Sequence, residues 1–213
     1  MAQVPTKALI IYLPERGFDE EKFKVFVQTD SPSLMKRLQQ DSVEIEWPLR
    51  SRGLQPELGR ELHSYFEQGP GYVQRIGLLD EGNDDQQMDE ALQFLLQDLG
   101  TYRERYPHVD KVFIGGFSQG AALSLYYGAT SNNKINGIVC FSGFLPNFSY
   151  AHKNMDTPIL KIHGTHDEII DIGVSQQSMS QINFSNLNSK SYNMGHNVVN
   201  EQISDFLEFL EKL

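Results

Sequence analysis

Cysteine occurs once in this chain of 213 residues, as Cys140, so no intrachain disulfide can form and nothing points to an oxidising compartment. Its place inside the apolar run Gly137-Ile-Val-Cys-Phe141 reads as a small core residue. Basic residues are also scarce, with 18 Lys and Arg against 28 Asp and Glu, for a net charge of −10. No dense Lys/Arg cluster exists to meet phosphates, which argues against a nucleic-acid partner. Long apolar runs are missing too. The stretch Ala8 to Leu13 is too short for a membrane span or a signal-peptide core, Ala2 excludes N-myristoylation and the final Glu-Lys-Leu is no prenylation signal. Repeats, low-complexity tracts and linkers are absent. These absences leave a cytoplasmic protein without stable membrane insertion, folded as one domain over residues 1–213, long enough to bury roughly 70% of its unfolded surface.

What is present alternates between strands and helices. Ala8-Leu-Ile-Ile-Tyr-Leu13 reads as a buried parallel strand stopped by Pro14. A short helix is expected over Ser33–Gln40 and a strand over Val43–Trp47. Residues 48–84 are rich in Gly, Pro and charge without periodicity, as functional loops often are. Met88, Leu92, Leu95, Leu96, Leu99 and Tyr102 recur at helical spacing and predict a long helix over Asp85–Tyr106. Further strands are expected at Val109–Gly115, Ile135–Ser142, Pro158–His163 and Ser189–Tyr192. Helices are expected at Ser118–Thr130, Gly173–Asn183 and Asn197–Leu213, the last with Val199, Ile203, Phe206, Leu207, Leu210 and Leu213 on its apolar face. This alternation implies an α/β protein with a mostly parallel central sheet and helices on both faces.

The chemistry concentrates at Gly116-Phe-Ser-Gln-Gly120, which lies between an apolar strand and a helix of small residues. Strand, Gly-x-Ser-x-Gly, helix is the context of a nucleophile elbow. Ser118 must sit on a strained turn to lift its hydroxyl clear of the sheet, and the following helix directs its N–H groups at developing negative charge. A serine nucleophile needs a base, and the base an orienting carboxylate, in the chain order Ser, Asp or Glu, His. Asp167 follows a strand in His163-Gly-Thr-His-Asp-Glu168, and His196 follows Gly195 just before the last helix. Both stand where those roles require. The competing reading of Asp167 is a turn or capping residue, and of His196 a plain loop residue. Glu168, Asp171 and Asp156 are weaker candidates. His163 reads as a hydrogen-bonded structural residue at a strand end and His166 as an exposed loop residue. His63, His108 and His152 have no catalytic setting. His163, His166 and Asp167 lack a fourth partner for a metal, so neither a metal nor an organic cofactor is expected.

Gly115-Gly-Phe-Ser-Gln-Gly-Ala-Ala-Leu-Ser-Leu125 closely resembles the elbow of the acyl-protein thioesterase / phospholipase–carboxylesterase family of α/β-hydrolases. Gly137-Ile-Val-Cys-Phe-Ser-Gly-Phe-Leu-Pro146 resembles that family's strand and Ser-Gly-(aromatic)-Leu-Pro loop, and His163-Gly-Thr-His-Asp167 its His-Gly-x-x-Asp turn. Met194-Gly-His196 resembles the loop before its last helix, and Ser64-Tyr-Phe-Glu67 is a faint echo of its Ser-Trp-Phe-Asp segment. The resemblance is specific from about residue 85 onward. It implies an α/β-hydrolase fold, Ser118, Asp167 and His196 as a triad, and the backbone N–H groups of Gln119 and Arg16 as an oxyanion hole. It points to cleavage of acyl esters or thioesters, with an S-acylated protein or a lysophospholipid as substrate. Tyr65, Phe66, Phe144 and Leu145 are the candidate substrate-binding residues, with Leu54, Leu58, Tyr72 and Phe148 as further lining. Core packing is an equally good use for the side chains of residues 48–84.

The sequence departs from the family where the first strand should be followed by Leu-His-Gly-Leu-Gly-Asp and reads Leu13-Pro-Glu-Arg-Gly-Phe18. Glu15 brings a carboxylate near a site that stabilises an oxyanion. Three readings of Arg16 stay open: pairing with Glu15, contact with substrate, or exposure to solvent. Two rival functions follow from that departure and from the acidity: a weakly active or inactive homologue that binds acyl ligands, and an interaction module. A homodimer is compatible with such a fold, though no segment carries an interface signature.

Overall fold

The computed structural model describes residues 8–13, 43–46, 84–146, 150 and 156–213. The expected helix at 33–40, the loops at 48–83, and Arg16, Tyr65, Phe66 and Phe148 therefore lie outside the described residues. Six strands are present among those described: β1 (Ala8–Leu13), β2 (Val43–Glu46), β3 (Lys111–Phe117), β4 (Gly137–Phe141), β5 (Ile159–Gly164) and β6 (Leu187–Tyr192). They form one sheet in the order β2-β1-β3-β4-β5-β6, and every neighbouring pair runs parallel. Parallel neighbours need crossovers, which α1 (Asp84–Arg105), α2 (Gln119–Thr130) and α3 (Ile172–Met179) help supply, while α4 (Asn200–Lys212) follows the last strand.

The two faces of the sheet are both covered, as a parallel sheet requires. Strand alternation sorts the side chains. Ile114, Ile138, Cys140 and Ile159 join Leu92, Leu95, Leu99 and Tyr102 of α1 and Ala121, Leu125 and Tyr126 of α2 in one core. Ile10, Phe113, Val139, Phe141, Leu160 and Ile162 face the other way and pack with Ile203 and Phe206 of α4. Burying a side chain of this size contributes about 1.5–3 kcal/mol. Phe209, Leu207, Leu210 and Leu213 complete the α4 contact, half-buried. Phe209 stands edge-on to Phe113, with ring centroids 6.4 Å apart.

Helix α2 is buried along nearly its whole length, from Gly120 to Ala129. Its small residues make that close approach feasible. Ser124, fully buried, satisfies its hydroxyl on the Gly120 carbonyl at 2.8 Å. A Cβ on Gly128 would lie 2.4 Å from Ile138 Cδ1, so the helix rides directly on β4.

Helix α3 is shorter than the periodicity predicts, ending at Met179 instead of Asn183. Asp171 caps its start by accepting from the N–H groups of Gly173 and Val174. At the other end, the Ser180 hydroxyl donates to the Gln177 carbonyl and competes with continuation of the helix. Ile182 and Phe184 still enter the core, from turn and loop conformations.

Candidate active site

Three carboxyl-terminal strand ends build the site. Strand β3 ends at Phe117, and Ser118 follows with φ 55° and ψ −114°. Such a backbone conformation costs a non-glycine residue on the order of 1–3 kcal/mol, and the surroundings enforce it. The Ser118 N–H donates to the Phe141 carbonyl, and its own carbonyl accepts from Ala122 in the first turn of α2. The side chain is thus presented at the junction of strand and helix. The leading N–H groups of α2, that of Gln119 foremost, have no acceptor inside the helix.

Asp167 comes from the turn after β5. The residue is 6% exposed. Its Oδ1 accepts from the N–H groups of Ile169 at 3.0 Å and Ile170 at 2.8 Å. Its Oδ2 lies 2.8 Å from His196 Nδ1. A carboxylate only accepts, so Nδ1 carries the proton and Nε2 is left with its lone pair. That Nε2 lies 3.0 Å from Ser118 Oγ, which donates to it. One continuous chain of hydrogen bonds therefore runs from the Ser118 hydroxyl through the imidazole to Asp167. The three residues expected from the sequence are brought together.

Burial by itself favours the protonated form of Asp167. The His196 hydrogen bond, the Ile170 N–H and the two nearby imidazoles outweigh it and hold the carboxyl below its ordinary range. The His196 ring also packs on Phe117, with centroids 4.8 Å apart.

The loop bearing His196 is tied to the loop bearing Asp167. The N–H of Thr165 donates to the Tyr192 carbonyl and that of His166 to the Met194 carbonyl, at 2.8 and 3.0 Å. Gly164 is the pivot of this contact. A Cβ there would lie 2.4 Å from the carbonyl oxygens of both Gly195 and Met194, and backbone atoms cannot swing away as a side chain would. Gly164→Ala is therefore expected to cost about 1–3 kcal/mol of stability and to lower turnover through displacement of His196. Denaturant unfolding and kinetics on the same preparation check both.

His163 sits closer to the centre than its sequence position suggested. It is 1% exposed, and its Nε2 lies 2.8 Å from the Ile170 carbonyl and 3.3 Å from Asp167 Oδ2. Burial lowers its pKa, and Lys161 and His196 act in the same direction, against the Ile170 hydrogen bond and the Asp167 charge. The folded protein therefore resists protonating this ring. Stability should fall as pH drops below the ordinary imidazole value of 6.5, because there the unfolded chain binds the extra proton and the folded one does not. A second loss, from Asp167, begins as pH falls below the ordinary carboxyl value of 3.8. Unfolding midpoints measured at pH 7.5 and 5.5 test the first effect, and His163→Gln should flatten that difference.

The remaining candidates divide. Phe144 is buried with Ala122 of α2 and Ile170, beside the Asp167 turn. Leu145 is fully buried in the core with α1 and α2, and its N–H donates to Ser178 Oγ, so it serves packing beneath the loop. His166 is exposed, with Nδ1 against Thr165 Oγ1 at 3.0 Å. Asp171 is a helix cap, and Glu168 is exposed. Cys140 is a buried free thiol whose pKa burial pushes up to about 11, an inert core residue. The elbow's neighbourhood includes one feature without a sequence signal: Ser142, at φ 48°, a second strained serine just after β4.

Comparison with known proteins follows the same geometry. Acyl-protein thioesterase 1 of Candida albicans is 36% identical over 117 residues, covering 49% of this chain and 51% of that protein. Acyl-protein thioesterase 1 of Saccharomyces cerevisiae is 37% identical over 113 residues, 48% of this chain and 50% of that protein. The chain thus spans about half the length of the curated relatives it matches. Among solved structures, acyl-protein thioesterase 2 of Zea mays superposes with a TM-score of 0.67 at 22% identity, over 100% of this chain and 96% of that one. Arabidopsis thaliana SOBER1 gives 0.67 at 17% identity, over 97% and 98%. At those identities the likeness is one of fold, the α/β-hydrolase fold. The family model described as phospholipase/carboxylesterase matches residues 76–213, the stretch that carries the elbow, the Asp167 turn and the His196 loop. The chain belongs to the phospholipase/carboxylesterase family of α/β-hydrolases.

Proposed function

We propose that this protein is a serine hydrolase of carboxylic esters or thioesters, with Ser118 as nucleophile, His196 as base and Asp167 as its orienting carboxylate. The observation that carries this reading is the unbroken relay of 3.0 and 2.8 Å from Ser118 Oγ through His196 to Asp167. As Ser118 Oγ bonds to the acyl carbon, its proton passes to His196 Nε2, and the imidazolium is balanced by Asp167. The carbonyl oxygen, now an oxyanion, rests on the Gln119 N–H at the head of α2, with the Arg16 N–H proposed as second donor. His196 then gives its proton to the departing alkoxide or thiolate, and an acyl-enzyme remains. Water attacks the acyl carbon, yields its proton to His196, and the acid leaves as Ser118 recovers its own. Every group in this cycle is a protein atom or water.

The proposed substrate is an S-acylated protein or a lysophospholipid, a reading supported by family membership and by relatives named acyl-protein thioesterases. Among the described residues no helix is long and apolar enough to cross a membrane. A cytoplasmic setting belongs to the same proposal and accords with the unpaired thiol of Cys140. Matched acyl thioesters and p-nitrophenyl esters of increasing chain length test it. The expected result is turnover with an optimum in chain length. Binding of the long-chain compounds without release of acid would favour the non-catalytic acyl-binding reading.

A further inference from the structure

Two imidazoles stand beside the Asp167 carboxylate, and only one of them, His196, is hydrogen-bonded to it and belongs to the relay. Oδ2 faces both His196 Nδ1, at 2.8 Å, and His163 Nε2, at 3.3 Å. Oδ1 is occupied by the Ile169 and Ile170 N–H groups. Ile170 closes a ring: its N–H donates to Asp167 Oδ1 and its carbonyl accepts from His163 Nε2. A carbonyl only accepts, so the proton of the His163 ring is on Nε2. His163 Nδ1 is buried and has no partner among the described residues. That is tolerable for a bare lone pair, whereas an N–H there would be an orphaned donor. The other charged and titratable groups around the ring are Lys161, on the same strand, and His196.

We propose that His163 is a positioning residue of the relay: its Nε2–H holds the Ile170 carbonyl, and with it the 167–170 turn that aims Asp167 at His196, while the same ring edge lies 3.3 Å from Asp167 Oδ2. This inference rests on the hydrolase reading above. Without the His163 donor, the Ile170 carbonyl loses its partner and the turn that aims Oδ2 loosens, and the Oδ2 charge is no longer shared with that ring edge. Loss of position lowers the rate of proton transfer. Loss of sharing concentrates negative charge on His196 and stabilises the imidazolium, which moves the acid limb of the rate profile to higher pH.

His163→Leu keeps the volume and removes the donor. Per active site, titrated with a fluorophosphonate, it should lower kcat by roughly 10- to 100-fold with KM within about twofold. Its acid limb of kcat/KM should move upward by about half a pH unit. His163→Gln places an amide N–H near the former Nε2 and should restore kcat to within about threefold of wild type. A Leu variant with unchanged kcat per titrated site and an unmoved acid limb would overturn the proposal, as would Gln and Leu variants equally impaired. If the Leu variant does not fold, Gln against Asn carries the test, since the Asn amide is one methylene too short to reach. An arm independent of activity is the ¹⁵N spectrum of His163 in the wild-type protein, which must show a protonated Nε2 and a bare Nδ1. The opposite tautomer overturns the proposal. Absence of any ester or thioester turnover in the wild type overturns the hydrolase reading instead and leaves the tautomer result standing.

Discussion

Ser118→Ala should lower turnover of any ester or thioester the wild type accepts by at least about a thousandfold, with little change in stability. The first half follows from the geometry. Ser118 Oγ is the one group the site lifts onto a strained junction and aligns with an imidazole lone pair at 3.0 Å. Without it, His196 can only direct water at a bound acyl group, and the residual rate comes from binding and the oxyanion donors. The second half follows from the backbone. Alanine meets the same left-handed requirement at φ 55° as serine does, and the hydroxyl contributes a single hydrogen bond, to His196. Kinetics on matched substrates beside thermal unfolding of the two proteins measure both halves. Equal turnover by the two proteins would remove Ser118 from the chemistry.

The second large effect is expected from Asp167→Asn, a loss of about 10⁴ in kcat with the fold retained. Three N–H groups point at this carboxylate, two from the backbone at Oδ1 and that of His196 at Oδ2, with the His163 ring 3.3 Å from Oδ2. An amide offers one accepting oxygen and one donating NH₂. Turning the NH₂ toward the Ile169 and Ile170 N–H groups would oppose donors to donors, so the oxygen stays there and the NH₂ faces His196. His196 must then accept at Nδ1 and carry its proton on Nε2, the wrong tautomer for taking the Ser118 proton. The rate should be lost while substrate binding persists, visible as a fall in kcat with KM nearly unchanged. Retention of most of the activity would mean that Asp167 is only a turn residue, the competing sequence reading.

Much of this site was legible because its signals are local and chemical. A nucleophile elbow needs a strand, a turn and a helix in sequence, and Lys111–Thr130 spells all three. Parallel strands buried on both faces are continuous apolar runs, so β1, β3, β4 and β5 were readable to within a few residues. Other features depend on distance in space. Phe209 packs on β3 because of where α4 crosses the sheet, which periodicity along α4 does not reveal. Leu145 sits in a loop that resembles a substrate wall, yet the Ser178 hydroxyl draws its backbone into the core. His163 looks structural from its strand-end position, and only the fold of residues 167–170 back over β5 brings it to Asp167. The end of α3 was overrun because the residues after Met179 keep an apolar rhythm that serves packing after the helix has stopped.

Covalent trapping tests the central claim most directly. Rapid mixing with a slowly deacylated p-nitrophenyl ester, followed by acid quench and peptide mass analysis, reads both the burst and its address. The account predicts a burst of about one p-nitrophenol per active site and an acyl mass increment on the peptide containing Ser118. A burst-free time course, or an acyl group found on any other residue, would contradict it.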